Sequence, residues 1–333
     1  MHCRYPSTPL AGRAIILALV CSVALGAAQQ GLELRSPGKS AATERSAALP
    51  LNQAVRDALV KAVRGRDYPA AERILIHAIR GNPKSPKLLT FLGGVYFLDG
   101  SYLECVVAMK KAEALAPLPD PDRFTLAMAY IILDHGDWAQ AELNRLSQAD
   151  PRNPLYFYWL SRTEYDRKRY AMAVTQALRA IRLDSRFTRA YVDLGLCYEG
   201  LGKYTEAMNS YATAVRLNRK GQPPSPWPPL DFAALLVRLN KLEEGAAYLQ
   251  EALRYDPRFP QAHFQLGVLL EKEGKRQQAI QQLREAESLN PSYAEPHYVL
   301  GRVYERIGKT RQAQAEFATF RRIKRASQTP PLE

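Results

Sequence analysis

The chain has 333 residues, of which 47% are hydrophobic and 24% charged, enough apolar material for a folded core and too little charge for wholesale disorder. Lysine and arginine total 46 against 33 acidic residues, a formal charge of +13; the balance favours acidic partners, but the basic residues are dispersed, which argues against specific nucleic-acid recognition. The cysteines are Cys3, Cys21, Cys105 and Cys197 with no Cys-x-x-Cys pair, so a redox couple or a structural zinc site has no support.

Residues 1–28 read as an export signal. Arg4 and Arg13 give a basic start, AIILALVCSVAL from Ala14 to Leu25 an apolar run, and Gly26-Ala27-Ala28 small residues at a cleavage position. This predicts a periplasmic or secreted location. The run is short for a permanent span; a leader that escapes cleavage would stay as an anchor, and no other stretch approaches 18 apolar residues. Cys21 follows the bulky Val20, which argues against lipid attachment. Residues 29–51 are rich in Gly, Ser, Pro and Ala without a lasting apolar period, the composition of a flexible linker.

From Asn52 a 34-residue period runs nearly to the end. The clearest unit begins at Pro260 and places Gly267 at its eighth step, Ala279 at its twentieth, Ala286 at its twenty-seventh and Pro291 at its thirty-second. Eight units follow the register: 52–85, 86–119, 120–153, 154–187, 188–221, 226–259, 260–293 and 294–327, with 328–333 as a tail. Within a unit, apolar residues such as Leu194, Tyr198 and Leu201, then Ala207, Tyr211 and Ala214, recur at helical spacing. The turns between the two predicted helices carry glycine, as in Gly200-Leu201-Gly202-Lys203 and Glu273-Gly274-Lys275, where it permits the left-handed end of a helix. Asp150-Pro151, Asp256-Pro257 and Asn290-Pro291 break the second helix before the next unit. No unit buries its apolar face alone, so the units must stack.

The step length with Leu-Gly, Tyr, Ala, aromatic, Ala and Pro resembles the tetratricopeptide repeat. The resemblance implies an all-α, right-handed superhelical solenoid of about eight helix-turn-helix units. It also implies a role in docking proteins or peptides on a concave surface lined by the first helices. Some units depart from the pattern: Leu59 and Ala62 in the first, Cys105 in the second, Ser161 and Glu164 in the fourth. The stretch GQPPSPWPP, with a four-residue insertion at 222–225, either alters the path of the array and forms a joint or merely lengthens one loop.

Carrying over the family's inward-facing steps selects Tyr158, Arg162 and Tyr165 in the fourth unit, Phe264, Glu271 and Lys272 in the seventh, and Tyr298, Arg302, Glu305 and Arg306 in the eighth. Tyr158, Arg162, Tyr298, Arg302 and Arg306 are expected to be exposed there. Aromatics give rigid contact area and arginines clamp carboxylates, a combination suited to a protein or peptide partner with acidic residues. Catalysis finds no support: no Gly-x-Ser-x-Gly, His-Glu-x-x-His or phosphate-loop pattern occurs, and no cofactor is implied. His263 and His297 share the fourth step of adjacent units, an echo that a repeat makes without any metal. The basic run Arg321, Arg322, Lys324 and Arg325 reads as a polar helix end or a phosphate or anionic-membrane contact. A second reading is a structural or self-associating spacer, since Phe317, Phe320 and Ile323 form an apolar stripe on the last unit with no further repeat beyond it. An accessory role beside an enzyme is a third.

Overall fold

The computed structural model describes residues 49–326, which form sixteen helices and no strand. The leader assigned to 1–28, nearly all of the linker and the tail lie outside the described residues. None of the described helices is long and apolar enough to cross a membrane. The chain divides into two compact units, with the boundary between 183 and 184.

The first unit holds four helix pairs: α1 Gln53–Arg64 with α2 Tyr68–Gly81, α3 Pro86–Asp99 with α4 Tyr102–Glu113, α5 Asp120–Ile132 with α6 Gly136–Ala149, and α7 Pro154–Asp166 with α8 Tyr170–Leu183. The second unit holds four more: α9 Thr188–Gly200 with α10 Tyr204–Asn218, α11 Trp227–Arg238 with α12 Leu242–Tyr255, α13 Pro260–Lys272 with α14 Arg276–Leu289, and α15 Ala294–Arg306 with α16 Thr310–Ala326. Within each unit a second helix packs on its own first helix and on the first helix of the next repeat, the stacking that an amphipathic pair requires to bury its remaining apolar face.

One conformation recurs in every repeat. The fifteenth step, between the two helices, has positive φ in all eight: Gly100, Gly202, Gly274 and Gly308, but also Arg66, Asp134, Lys168 and Asn240. Half the repeats therefore place a side chain in the left-handed region, which costs a non-glycine residue about 1–2 kcal/mol. The link between repeats is also fixed locally. Asp150, Asp184, Asp256 and Asn290 occupy the same step, and each accepts the backbone N–H two residues on, at 2.8–3.1 Å. These Asx turns stop the second helix and turn the chain into the next repeat.

Packing within a pair is set by the eighth and twenty-fourth steps. A Cβ on Gly93 would meet Met109, on Gly195 the Tyr211 ring, on Gly267 Leu283 and on Gly301 the Phe317 ring, all at 2.6–2.9 Å. These glycines yield space to a large side chain sixteen residues later. Where the eighth step carries Ser161, the twenty-fourth is Ala177, fully buried, and the Ser161 hydroxyl donates to the Ala173 carbonyl at 2.9 Å. The twentieth step stays small throughout: Ala71, Cys105, Ala139, Ala173, Ala207 and Ala279 have no exposure. Cys105 thus takes an alanine's place, and both described cysteines, Cys105 and Cys197, are buried and outside any disulfide. The other departure in the fourth repeat, Glu164, is buried and held by Arg169 and Gln140.

The insertion at 222–225 lengthens a loop. Asn218 brackets it, donating to the Ser225 carbonyl at 2.8 Å and accepting the Ser225 N–H at 2.9 Å. Trp227 then packs edge-on against Phe259, with ring centroids 4.8 Å apart. Helices α10 and α11 remain in contact across it. The chain's division lies instead within the fourth repeat, where α8 ends at Leu183.

Candidate interaction surface

In the first unit, α7 presents Tyr158, Arg162 and Tyr165. Tyr158 is 2% and Arg162 6% exposed, which corrects the expectation that both would be open to a partner. The run Tyr156 to Leu160 is bulky at every position and buried throughout, so α7 has no thin polar side to leave in solvent. Tyr158 sits edge-on to Trp159, centroids 5.2 Å apart, and Arg162 lies 5.9 Å from the Tyr165 ring centroid. Tyr165 is half-buried and packs on Tyr170 at 5.5 Å.

In the second unit, Phe264 on α13 and Tyr298, Arg302 and Arg306 on α15 occupy adjacent first helices. Phe264 is half-buried against Tyr293, centroids 5.3 Å apart. Tyr298 is 38% exposed, resting on Phe317 and Phe320 at 5.9 and 5.4 Å. Arg302 is half-buried and Arg306 exposed. Phe317, Phe320 and Ile323, expected as an apolar stripe, are all half-buried. Tyr298 is, among the described residues, the exposed large apolar side chain carried by a first helix; the others lie on second helices or in turns, as with Leu103, Trp138, Met172 and Tyr204.

The thirteenth-step basic side chains of this face are each bound to the repeat before. Arg306 pairs with Glu271, Arg238 with Glu199, and Lys272 donates to the Val237 carbonyl at 2.8 Å. Each is the thirteenth step of one repeat bound to the twelfth of the repeat before, a register repeated three times. Arg238 and Arg306 keep 59% and 52% of their side chains exposed, whereas Glu199 and Glu271 keep 11% and 6%. The acids are built into the wall while the guanidinium heads reach solvent. Arg238 and Glu199 hold the same thirteenth and twelfth steps in the sixth and fifth repeats, from which the inward-facing steps carried over from the sequence took no residue.

The two histidines at the fourth step are not brought to a common centre. His263 contacts Gln282 at 2.8 Å and the Pro257 carbonyl at 3.0 Å, and His297 contacts Glu316 at 2.7 Å. Glu287, His297 and Glu316 offer ligand atoms within 4.8 Å of one another, yet Arg284 donates to both carboxylates, at 2.6 Å each.

Two tetratricopeptide-repeat family models match the chain, one over residues 126–186 and 230–294, the other over 188–220. Among curated proteins, human Superkiller complex protein 3 is 28% identical over 181 residues, 51% of this chain and 11% of that protein. TPR repeat-containing protein YpiA of Bacillus subtilis is 25% identical over 201 residues, 59% of this chain and 45% of that protein. The chain therefore spans less than half the length of either relative. Among solved structures, a tetratricopeptide repeat protein from Parabacteroides merdae superposes with a TM-score of 0.64 at 17% identity, covering 75% of this chain and 98% of that one. Yeast Tom70 gives 0.62 at 16% identity, covering 94% and 69%. These likenesses concern the fold. Taken with the 34-residue register and the helix pairs, the family models identify the matched stretches, 126–186, 188–220 and 230–294, as tetratricopeptide repeats.

Proposed function

We propose that the chain is a protein-interaction scaffold that receives a partner segment on the first-helix face of its second unit, around Tyr298. The observation that carries this is the exposure of Tyr298 on a face otherwise closed by ion pairs and packed aromatics. An aromatic anchor contributes about 2 kcal/mol when a partner covers it. Phe264 supplies adjoining apolar area. Arg302, Arg306 and Arg238 favour a partner with acidic residues, which at Arg306 and Arg238 would meet the solvent side of guanidinium groups whose other side holds Glu271 and Glu199; the formal charge of +13 supports the same preference. The scaffold operates in the periplasm or secreted space, a reading supported by the basic start, apolar run and small residues of 1–28.

The test is affinity capture with the full chain from an envelope extract, followed by titration of the captured partner. Tyr298→Ala should weaken binding about 30-fold, the equivalent of about 2 kcal/mol. Trp138→Ala, which removes an aromatic 55% exposed on the second helix α6, should leave it unchanged. The opposite ranking would overturn the assignment of the face.

A further inference from the structure

Four steps of the register decide what fills the groove between successive second helices: the twenty-fifth and twenty-eighth of one repeat and the fourth and twenty-third of the next. Between the second and third repeats these are Lys110, Glu113, Arg123 and Glu142. Arg123 donates to Glu142 at 2.5 Å and to Glu113 at 3.1 Å, and Lys110 donates to Glu113 at 2.5 Å. Between the seventh and eighth repeats they are Arg284, Glu287, His297 and Glu316, joined by hydrogen bonds of 2.6–2.7 Å. Polar side chains bound to one another close both grooves.

Between the first and second repeats the same four steps carry Ile76, Ile79, Leu89 and Ala108, and none of these side chains can hydrogen-bond. Here α2 and α4 flank an open groove of about 540 Å³. Leu103 and Val107 form its α4 rim, 60% and 46% exposed, and Leu103 is the most exposed large apolar side chain among the described residues. The equivalent steps carry Asp137 and Ala141 in the third repeat and Arg311 and Ala315 in the eighth. An apolar ridge beside an apolar groove keeps surface in water that another protein surface would cover.

The charges at the two ends of the groove select the partner. Glu104 lies in the first turn of α4 and Lys111 in its last, and both line the groove and are exposed. Among the described residues neither has an ion partner; the lysine that holds Glu113 is Lys110. Val107 stands three residues after Glu104 and four before Lys111, so the three share one helical face. A two-fold axis through Val107 lays a second α4 antiparallel on the first. Each Glu104 then meets the Lys111 of the other copy, and each Leu103–Val107 ridge enters the other's groove. Arg80, in the last turn of α2 and also on the groove, adds a cation to the end that receives Glu104. Acids early and bases late in a helix suit its dipole as well, but the dipole gives no reason for Leu103 and Val107 between them. A patch that complements itself under a two-fold axis is the requirement of an isologous dimer.

We propose that the chain forms a two-fold dimer through this face, with α4 packed antiparallel against α4 of a second copy. The face lies on second helices of the first unit and does not depend on the reading of Tyr298.

Sedimentation equilibrium of the full chain should show a reversible monomer–dimer equilibrium. Leu103→Asp should weaken it about 1,000-fold, because two-fold symmetry counts the loss of an anchoring residue twice. Met172→Asp, at an apolar side chain 52% exposed on α8, should leave it unchanged. Glu104→Lys and Lys111→Glu should each weaken association about tenfold, since like charges then face each other across the axis. The two together should restore it, because the double variant rebuilds both pairs with their signs reversed; this rescue also covers the case in which Leu103→Asp disturbs the fold. A monomer up to the highest soluble concentration overturns the proposal, and is the result expected if the groove serves a helix of another protein. Association that survives Leu103→Asp, or a double charge variant no tighter than the singles, overturns it too.

Discussion

Gly267 lies inside α13, where glycine is worse than alanine by about 1 kcal/mol, so Gly267→Ala would stabilise an isolated helix. In the folded chain the new Cβ would stand 2.7 Å from Leu283 Cγ and 2.8 Å from its Cδ2, with the Ala279 carbonyl oxygen at 3.4 Å. Leu283 is fully buried and has no solvent side to retreat to. Overpacking of this kind costs about 1–3 kcal/mol, so the net effect is a loss of about 1 kcal/mol after the helical gain. Leu283→Ala alone removes a buried side chain and costs about 2–5 kcal/mol. In the double variant the two changes meet. The alanine methyl enters space that the leucine vacated, the clash disappears and the helical gain remains. The double should therefore be more stable than the sum of the singles by at least about 1 kcal/mol. Ser161 over Ala177 is this arrangement at the same two steps of another repeat. Urea unfolding of the four proteins, followed by far-ultraviolet circular dichroism, measures it through the midpoint at constant slope. Additivity within about 0.5 kcal/mol, or a higher midpoint for Gly267→Ala, would refute the close-packing argument.

Lys168→Gly should raise stability by about 0.5–1 kcal/mol, because φ there is 60° and the relief of a left-handed lysine exceeds the entropy glycine adds to the unfolded chain. Gly202→Ala, at the same step with φ 72°, should lower it by about 1 kcal/mol; thermal melting that reverses the two signs contradicts the assignment of the step. Cys105 should resist alkylation at mildly alkaline pH in the folded protein and react on unfolding, since burial, reinforced by Asp122, pushes its thiol up to about 12; prompt labelling of the native chain is the contrary result. Hydrogen bonds from Arg219 at 2.8 and 2.6 Å hold the Glu251 carboxyl below the usual range, against the opposing effect of burial. A depressed carboxylate stabilises fully above its unfolded value, about 4.3, and loses that contribution as pH falls through the folded one. Glu251→Gln should accordingly flatten the acid limb of a stability-versus-pH curve, and an unchanged limb would show that the pair carries no linkage.

The fold was legible because its determinants are local and repeated. The small residue at the twentieth step, the Asx turn at the thirty-first and the Leu-Gly pairs each follow from a side chain acting within one repeat. The fifteenth step was only half legible. Four glycines announced it, while Arg66, Asp134, Lys168 and Asn240 adopt the same conformation without a compositional signal, because the flanking helices impose it. Packing partners sixteen residues apart were also hidden: Gly195 signals close approach, but the identity of Tyr211 as the intruding ring requires the helix crossing. The two-unit division left no mark at all, while the conspicuous proline-rich stretch proved to be a bracketed loop.

The candidate face was less legible than the fold, and the reason is electrostatic. A net positive total does not make a positive surface when the bases are placed one step beyond acids on the preceding repeat. Glu199 and Glu271 are nearly buried, so their charges need the guanidinium groups of Arg238 and Arg306. A partner carboxylate cannot claim those arginines outright without leaving a buried acid unpaired, a penalty larger than an exposed ion pair returns. It can only share the solvent side of a guanidinium that stays paired. The affinity of the face must then come chiefly from apolar cover of Tyr298 and Phe264, with the arginines orienting the partner rather than holding it. On α7 the inward steps carry Tyr158 and Arg162, and the same register leads to buried side chains. Register alone therefore fixes where a side chain departs from the helix. Whether it reaches solvent depends on the bulk of its neighbours, which on α7 are aromatic at four consecutive positions, Tyr156 to Trp159.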